Sequence, residues 1–189
     1  MAGYLFGAGA HLALDALNAA DFVALMTKGA NKSITATAST DKVNATAHGY
    51  SNGDVVRFTG LTGGTGLVNG QPYFVVGAAT NDFQVAHTSG GSAIDITVDY
   101  SAGTVNKYTE ISGGSPAYAR KSSTWNAAAG RNLDNSNAPV FDVPAAAVVD
   151  AVAGNDSSTA GTWLTIFDVT QETFGAQGTY TVNDLDIQL

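Results

Sequence analysis

The chain's three histidines, His11, His48 and His87, are the residues best suited to hold a transition metal or to move a proton near neutral pH. A zinc site needs clustered ligands, and neither His-x-His nor His-Glu-x-x-His occurs. The three therefore read as a helix-start, a turn and a strand-face histidine. Carboxylates gather at Asp150–Asp156 and at Asp184–Asp186. Calcium needs many oxygens around one point, and the EF-hand loop pattern is missing. These acids read as solvated loop and strand-face groups, and a cation shared between subunits is the one metal role left open. The run Gly60–Gly70 has glycines enough to cradle a phosphate, but no Gly-Lys-Ser/Thr closes it and no helix follows, so it reads as a flexible hairpin loop. Gly7-Ala8-Gly9 lacks the third glycine of a dinucleotide fingerprint. No Gly-x-Ser-x-Gly elbow orders a Ser, His and Asp set. Asn31, Asn44 and Asn155 open Asn-x-Ser/Thr triplets that a chain rich in these residues shows by chance. With no cysteine, thiol chemistry, disulfides and thiolate metal sites are excluded. The expectation is a protein that is not an enzyme, with no catalytic, cofactor-binding or metal-binding residues and no cofactor.

The elements that carry these residues are mostly strands. The 189 residues suit one ordinary domain or two small ones, and 44% hydrophobic with 13% charged content is too apolar for a disordered chain. Twenty-two glycines, with abundant Thr, Ser, Ala and Asn and little Lys, favour short strands joined by turns. The net charge of −8 repels DNA, and no basic run carries interleaved aromatics, so nucleic acid is not an expected partner. No stretch reaches the roughly 20 apolar residues of a membrane span, so no membrane partner is expected either. The opening Met1-Ala2-Gly3-Tyr4-Leu5-Phe6 lacks a basic n-region and makes a poor signal peptide, consistent with synthesis in a cytoplasm.

Along the chain, His11 to Ala20 predicts one short helix, with Leu14 and Leu17 on one face, and Phe22 to Thr27 a buried strand. After a polar connector, Lys28 to Ser33, a strand-and-turn block runs from Ile34 to Val105. In it Ile34, Ala36 and Ala38 alternate with polar residues. Asn52-Gly53 and Asn69-Gly70 predict type I′ turns. Val55–Thr59, Tyr73–Val76 and Phe83–His87 predict strands. The clearest period-2 run is Ile94, Ile96, Val98 and Tyr100 against Asp95, Thr97 and Asp99. Ser101 to Asn106 reads as a second polar joint. Beyond it, Tyr118–Trp125, Phe141–Val143, Ala147–Val152, Thr179–Val182 and Leu185–Leu189 predict further strands. Trp163–Val169, apolar on both faces, predicts a central one. The two joints suggest that residues 34–105 are a small β domain inserted into a discontinuous host domain of 1–33 and 106–189.

Two stretches of the insert, ATAHGYSNGDVVRFTG (Ala45–Gly60) and LVNGQPYFVVGAATNDFQVAHTSGGSAIDI (Leu67–Ile96), resemble a small β module that recurs in phage tail and capsid proteins. That module is similar to the first catalytic cysteine half-domain of ubiquitin-activating enzymes. With no cysteine here, no activating chemistry is implied. In the host domain, TEISGGSPAYARKSSTWNAAAG (Thr109–Gly130), NSNAPVFDVP (Asn135–Pro144) and ETFGAQGTYTVNDLDIQL (Glu172–Leu189) resemble a family of small phage virion proteins described as tail-fibre-like or minor structural proteins. Relatives usually run Gly-Gly-Ser-Tyr-Ala-Arg, and Pro116-Ala117 extends that run. The resemblance implies an all-β fold: a β-sandwich with one short N-terminal helix and an inserted small β-barrel-like domain.

It also implies assembly into a particle. The first expectation is a capsid decoration protein on the virion surface, made in the bacterial host cytoplasm. It would bind the major capsid protein and associate with itself as a trimer or other small homo-oligomer. The alternative is a tail-fibre or tail-tip component. Trp125, Phe141, Trp163 and Phe167 are candidate core or interface aromatics. A glycan-binding reading, compatible with either location, rests on Tyr50, Tyr73 or Tyr100 as exposed stacking platforms on the insert.

Overall fold

The computed structural model describes residues 20–127, 132–183 and 185–188. The predicted helix, apart from Ala20, and His11 lie outside them. The described residues are predominantly β, with antiparallel pairing in every ladder whose register is defined. The chain divides into two compact units. One comprises residues 1–25, 111–164 and 170–189, and the other 26–110 and 165–169.

The second unit is built from β2 (Lys32–Thr37), β3 (Lys42–Asn44), β4 (Val55–Thr62), β5 (Pro72–Val76), β6 (Asp82–Ala86) and β7 (Tyr100–Glu110), with the end of β1 (Phe22–Lys28). Pairings run β7 to β2, β2 to β3, β3 to β6, β6 to β5, β5 to β4, and β4 back to β7. These ladders form a closed ring, which leaves none of the six strands as a free sheet edge. Alternation decides which side chains point inward. Ile34, Ala36, Val43, Val56, Phe58, Tyr73, Val75, Phe83, Val85 and Val105 make one buried cluster with Leu67, Ile96 and Tyr100. Truncating a fully buried ring such as Phe83 to Ala is worth about 3–5 kcal/mol.

Strand β7 organises this unit. The segment read as a polar joint, Ser101 to Asn106, lies in its middle. Its first half pairs with β2 (Lys32↔Val105, Ile34↔Gly103), its last residues with β1 (Met26↔Glu110, Lys28↔Tyr108), and its other edge with β4 (Val55↔Tyr108 to Thr59↔Thr104). Within the stretch that mimics a linker, Gly103 is closely packed. A Cβ on Gly103 would come within 3.0 Å of both Ile34 Cδ1 and Leu61 Cδ2. Asn106, buried, donates from Nδ2 to Gly29 O (2.9 Å) and Asn31 Oδ1 (2.6 Å), fixing the turn between β1 and β2.

The predicted strand at Ile94–Tyr100 is absent as a ladder. Its amides are taken by unrelated partners: Ile94 N–H by Val85 O (2.8 Å), Ile96 N–H by Asp41 Oδ1 (2.8 Å) and Thr97 N–H by Thr65 O (3.1 Å). Ile96 still points into the core, whereas Val98 is 49% exposed.

The first unit contains the start of β1 and β8 (Lys121–Ser122), β9 (Asn132–Asp134), β10 (Val140–Val143), β11 (Val148–Asn155), the ends of β12 (Trp163–Thr173), β13 (Gly178–Thr181) and β14 (Asp186–Gln188). β11 lies between β1 and β12, β8 pairs with β1, β10 with β13, and β9 with β14. Strand β12 is terminal in its strand order, a correction to the central strand expected from its two apolar faces, and only Ile166 on it is fully buried. Tyr118–Trp125 forms only the two-residue β8 and an isolated bridge, Trp125↔Asn135. Val23, Ala24, Leu25, Phe141, Val143, Val149 and Ala151 are buried in this unit.

Candidate functional site

The seven aromatic candidates divide sharply. Phe141 is fully buried and stacks on Tyr118 (centroids 6.0 Å apart), whose hydroxyl accepts from Leu25 N–H at 2.8 Å, so it is a core residue. Trp125, Trp163 and Phe167 are half-buried. Trp125 Nε1 donates to Ala20 O at 3.0 Å. On the other unit, the expectation of exposed tyrosines fails at two of three positions. Tyr73 is 0% and Tyr100 4% exposed, because both rings fill the interior of the strand ring. Tyr50 is half-buried, its ring 4.9 Å from His48 and 5.4 Å from Phe83. Its hydroxyl is buried without a hydrogen bond, and that desolvation, with the Asp54 charge, pushes its pKa up to about 12.

The two buried tyrosines have a job that spacing does not reveal. The Tyr100 hydroxyl accepts from Leu67 N–H at 2.8 Å and donates to Leu67 O at 3.0 Å. The Tyr73 hydroxyl accepts from the next amide, Val68 N–H, at 2.9 Å. Two core phenols thus clamp consecutive residues of the glycine-rich loop. Close packing explains its glycines. A Cβ on Gly64 would lie 2.3 Å from the Tyr100 ring, and one on Gly66 would lie 2.5 Å from Asp95 O. The stretch read as a flexible hairpin is a pinned, packed loop that holds Val68 in solvent at 56% exposure.

Both Asn-Gly turns are used the same way. Gly53 (φ 92°) and Gly70 (φ 82°) have positive φ, but Asn52 and Asn69 do not, so neither turn is type I′. Kept out of the left-handed region, each Asn reaches across instead. Asn52 Oδ1 accepts from Ala78 N–H (2.9 Å), and Asn69 Oδ1 from Leu61 N–H (3.1 Å). Asp41, Asp54, Asn81, Asp99, Asn135, Asn137 and Asp156 likewise accept from loop amides. Side-chain carbonyls and carboxylates here replace the ladder bonds that loops lack.

Charge is treated similarly. Asp168 receives Lys28 Nζ (2.8 Å), Arg57 Nη1 (2.9 Å) and the Tyr108 hydroxyl (2.7 Å), and Arg57 Nε also donates to Gly70 O (2.9 Å). Desolvation works to raise the Asp168 pKa, but the Lys28 and Tyr108 hydrogen bonds and the Arg57 and Lys28 charges outweigh it and hold it below the usual range. Burial, then the Asp168 hydrogen bond, pushes the Tyr108 phenol up against the opposing Arg57 charge. Lys107 pairs with Asp54 (2.8 Å), Lys42 with Asp82 (2.6 Å) and, more loosely, Lys121 with Asp142 (3.8 Å), while Lys32 donates to Ala47 O (3.3 Å).

Arg120 is held against the Asp156–Thr162 loop. Its Nη1 donates to Ser157 O (2.9 Å) and Ala160 O (2.7 Å), and its guanidinium lies 4.5 Å from the Trp163 ring centroid. Every Lys and Arg among the described residues therefore has a partner within the fold. The sequence held one signal for this: only eight basic residues face sixteen acids.

His48 is buried. Its Nδ1 accepts from Tyr50 N–H (2.9 Å), which leaves the proton on Nε2, facing Asp82 O at 3.3 Å. His87 is exposed and its Nδ1 lies 3.2 Å from Gln71 Nε2. Among the described residues no group of three or more His, Asp or Glu is placed to hold a metal ion, and no helix is long and apolar enough to cross a membrane. No protein-family model, curated protein or solved structure matches the chain.

Proposed function

We propose that this chain is a non-enzymatic structural protein of a tailed-phage particle, decorating the outside of the shell by binding the major capsid protein. In this reading its two units are a β-sandwich and a small β-barrel inserted into it, and copies associate as a trimer or other small homo-oligomer. The observation that carries the reading is the use made of polar side chains. The described cations are all tied to acids, carbonyls or hydroxyls of the same fold, and Asn and Asp oxygens hold the loop amides. Such wiring makes loops stiff, which suits a part that transmits load and not one that turns over substrate. The closed strand ring supports the barrel, and its lack of edges suits display at high local density without edge-to-edge association. The excess of acids over bases disfavours contact with packaged DNA.

The mechanism is additive. A modest interface per copy, repeated over many capsomers, resists outward pressure better than any single contact. Immunogold electron microscopy of intact particles tests the location. Gold distributed over the shell is the expected result. Gold confined to the tail would replace this reading with the tail-fibre or tail-tip one.

A further inference from the structure

A groove of about 650 Å³ lies on the wall of the strand ring, crossing β7, β2, β3 and β6. Ser33 and Thr35 come from β2, Asn44 from β3, Thr46 from the turn after it, Asn81 from the residue before β6, Asp82 from its start, and Ser101 from β7. Register aligns three of them across the strands: Thr35 pairs with Asn44, and Asn44 with Asp82. A hydroxyl, an amide and a carboxylate therefore follow one another at the interstrand spacing of about 4.8 Å, comparable to the width of a sugar ring. An irregularity in the β2–β7 pairing, where Ile34 faces Gly103 but Ala36 faces Tyr100, places Ala102 and Gly103 in the floor, so no large side chain blocks that end.

The polar groups are held but not exhausted. Asn44 Nδ2 donates to Thr37 Oγ1 (3.1 Å), leaving its carbonyl available. Asn81 Oδ1 accepts from Ala47 N–H (2.9 Å), leaving its amide N–H groups available. Asp82 is steadied by Lys42 at 2.6 Å. The hydroxyls of Ser33, Thr35 and Thr46 make no hydrogen bond among the described residues. No Lys or Arg lines the groove. An anion would meet the Asp82 carboxylate and find no cation in the lining, Lys42 being already paired with that carboxylate, and an apolar ligand would strand the hydroxyls. A neutral polyhydroxylated chain satisfies alternating donors and acceptors without either cost.

We infer that this groove is a binding site for a neutral oligosaccharide, read by hydrogen bonds and not by aromatic stacking. The site stands on the groove's own geometry, so it survives or fails independently of any role in a particle. With no ring to stack on, affinity is weak and the site gains strength only when many copies engage one polysaccharide surface. The test is an amide-resolved NMR titration of the full chain with maltoheptaose, laminarihexaose and hexa-N-acetylchitohexaose. The expected result is a saturable shift with at least one of them, confined to Ser33, Thr35, Asn44, Thr46, Asn81, Ser101 and their strand neighbours. Thr35→Trp, a substitution at an exposed position that fills the groove, is expected to abolish it. Asn44→Ala is expected to weaken it about tenfold, with the wild-type spectrum otherwise retained. No saturable shift with any of the three would overturn the assignment. So would shifts centred on Tyr50, or equal binding by the Thr35→Trp variant.

Discussion

Replacing Tyr100 with Phe removes a single oxygen, yet the structure assigns that oxygen two hydrogen bonds to the backbone of one buried residue. Leu67 N–H donates to it at 2.8 Å, and it donates to Leu67 O at 3.0 Å. In Tyr100→Phe both backbone groups lose their partner inside the ring, where Leu67 is itself buried. Stranding a buried polar group costs about 1–3 kcal/mol, so the pair is worth about 2–4 kcal/mol once partial relaxation is allowed. Tyr73→Phe is the control. It frees the Val68 amide, beside a side chain 56% exposed, where water can take over, and gives up a long 3.4 Å bond to the Gln71 Oε1 acceptor, so the cost is about 1 kcal/mol. In a unit of this size each kcal/mol shifts Tm by about 4–8 °C. Differential scanning calorimetry should therefore show the affected transition falling by about 8–32 °C in Tyr100→Phe and by about a quarter to a half of that in Tyr73→Phe. Hydrogen exchange at the Leu67 amide should accelerate only in the first variant. Equal melting of the two variants, or an unchanged Leu67 amide, would refute the clamp.

Three further outcomes follow from the same geometry. Arg120→Ala should cost about 2 kcal/mol, loosening the Asp156–Thr162 loop, with faster exchange there and a shifted Trp163 fluorescence; Arg120→Lys should recover only part, since it lacks the planar fork. Because the Asp168 pKa is depressed in the folded chain, its stabilisation is present above the ordinary carboxylate pKa of about 3.9 and disappears as pH falls through the lower folded value. Urea midpoints should thus fall on acidification in the wild type and respond less steeply in Asp168→Asn. Finally, Tyr50 (about 12), Tyr73, Tyr108 and Tyr180 have raised phenol pKa values, so the folded state keeps protons that the unfolded chain releases, and stability declines as pH rises above about 10. Phenolate absorbance should show a delayed fraction that titrates with unfolding, not a single step at the free-tyrosine value.

What was legible in the sequence was the local pattern. The alternation at Ile34–Ala36 and the apolar runs at Val55, Tyr73 and Phe83 each mark a real strand, because burial on one face leaves a period-2 trace. Alternation misled at Ile94–Tyr100, where the same trace arises from an extended segment whose amides go to three separate places. The glycine and serine content of Ser101–Asn106 looked like a joint, but the segment is strand paired on both edges, with Gly103 crowded by Ile34 and Leu61. Tyr73 and Tyr100 were read as exposed stacking platforms, although Tyr73 opens an apolar run and Tyr100 ends the apolar side of the Ile94–Tyr100 alternation; those local patterns pointed inward, and both rings are buried. Partners far apart in sequence leave no local mark. Asp168 lies 140 residues from Lys28 and 111 from Arg57, and nothing near any of the three predicts their meeting.

The most direct test of the particle role is absolute quantitation, by isotope-labelled peptide mass spectrometry, of this chain relative to the major capsid protein in purified virions. A shell decoration predicts a fixed stoichiometry that scales with the number of capsomers. A handful of copies per virion, or none, would contradict it.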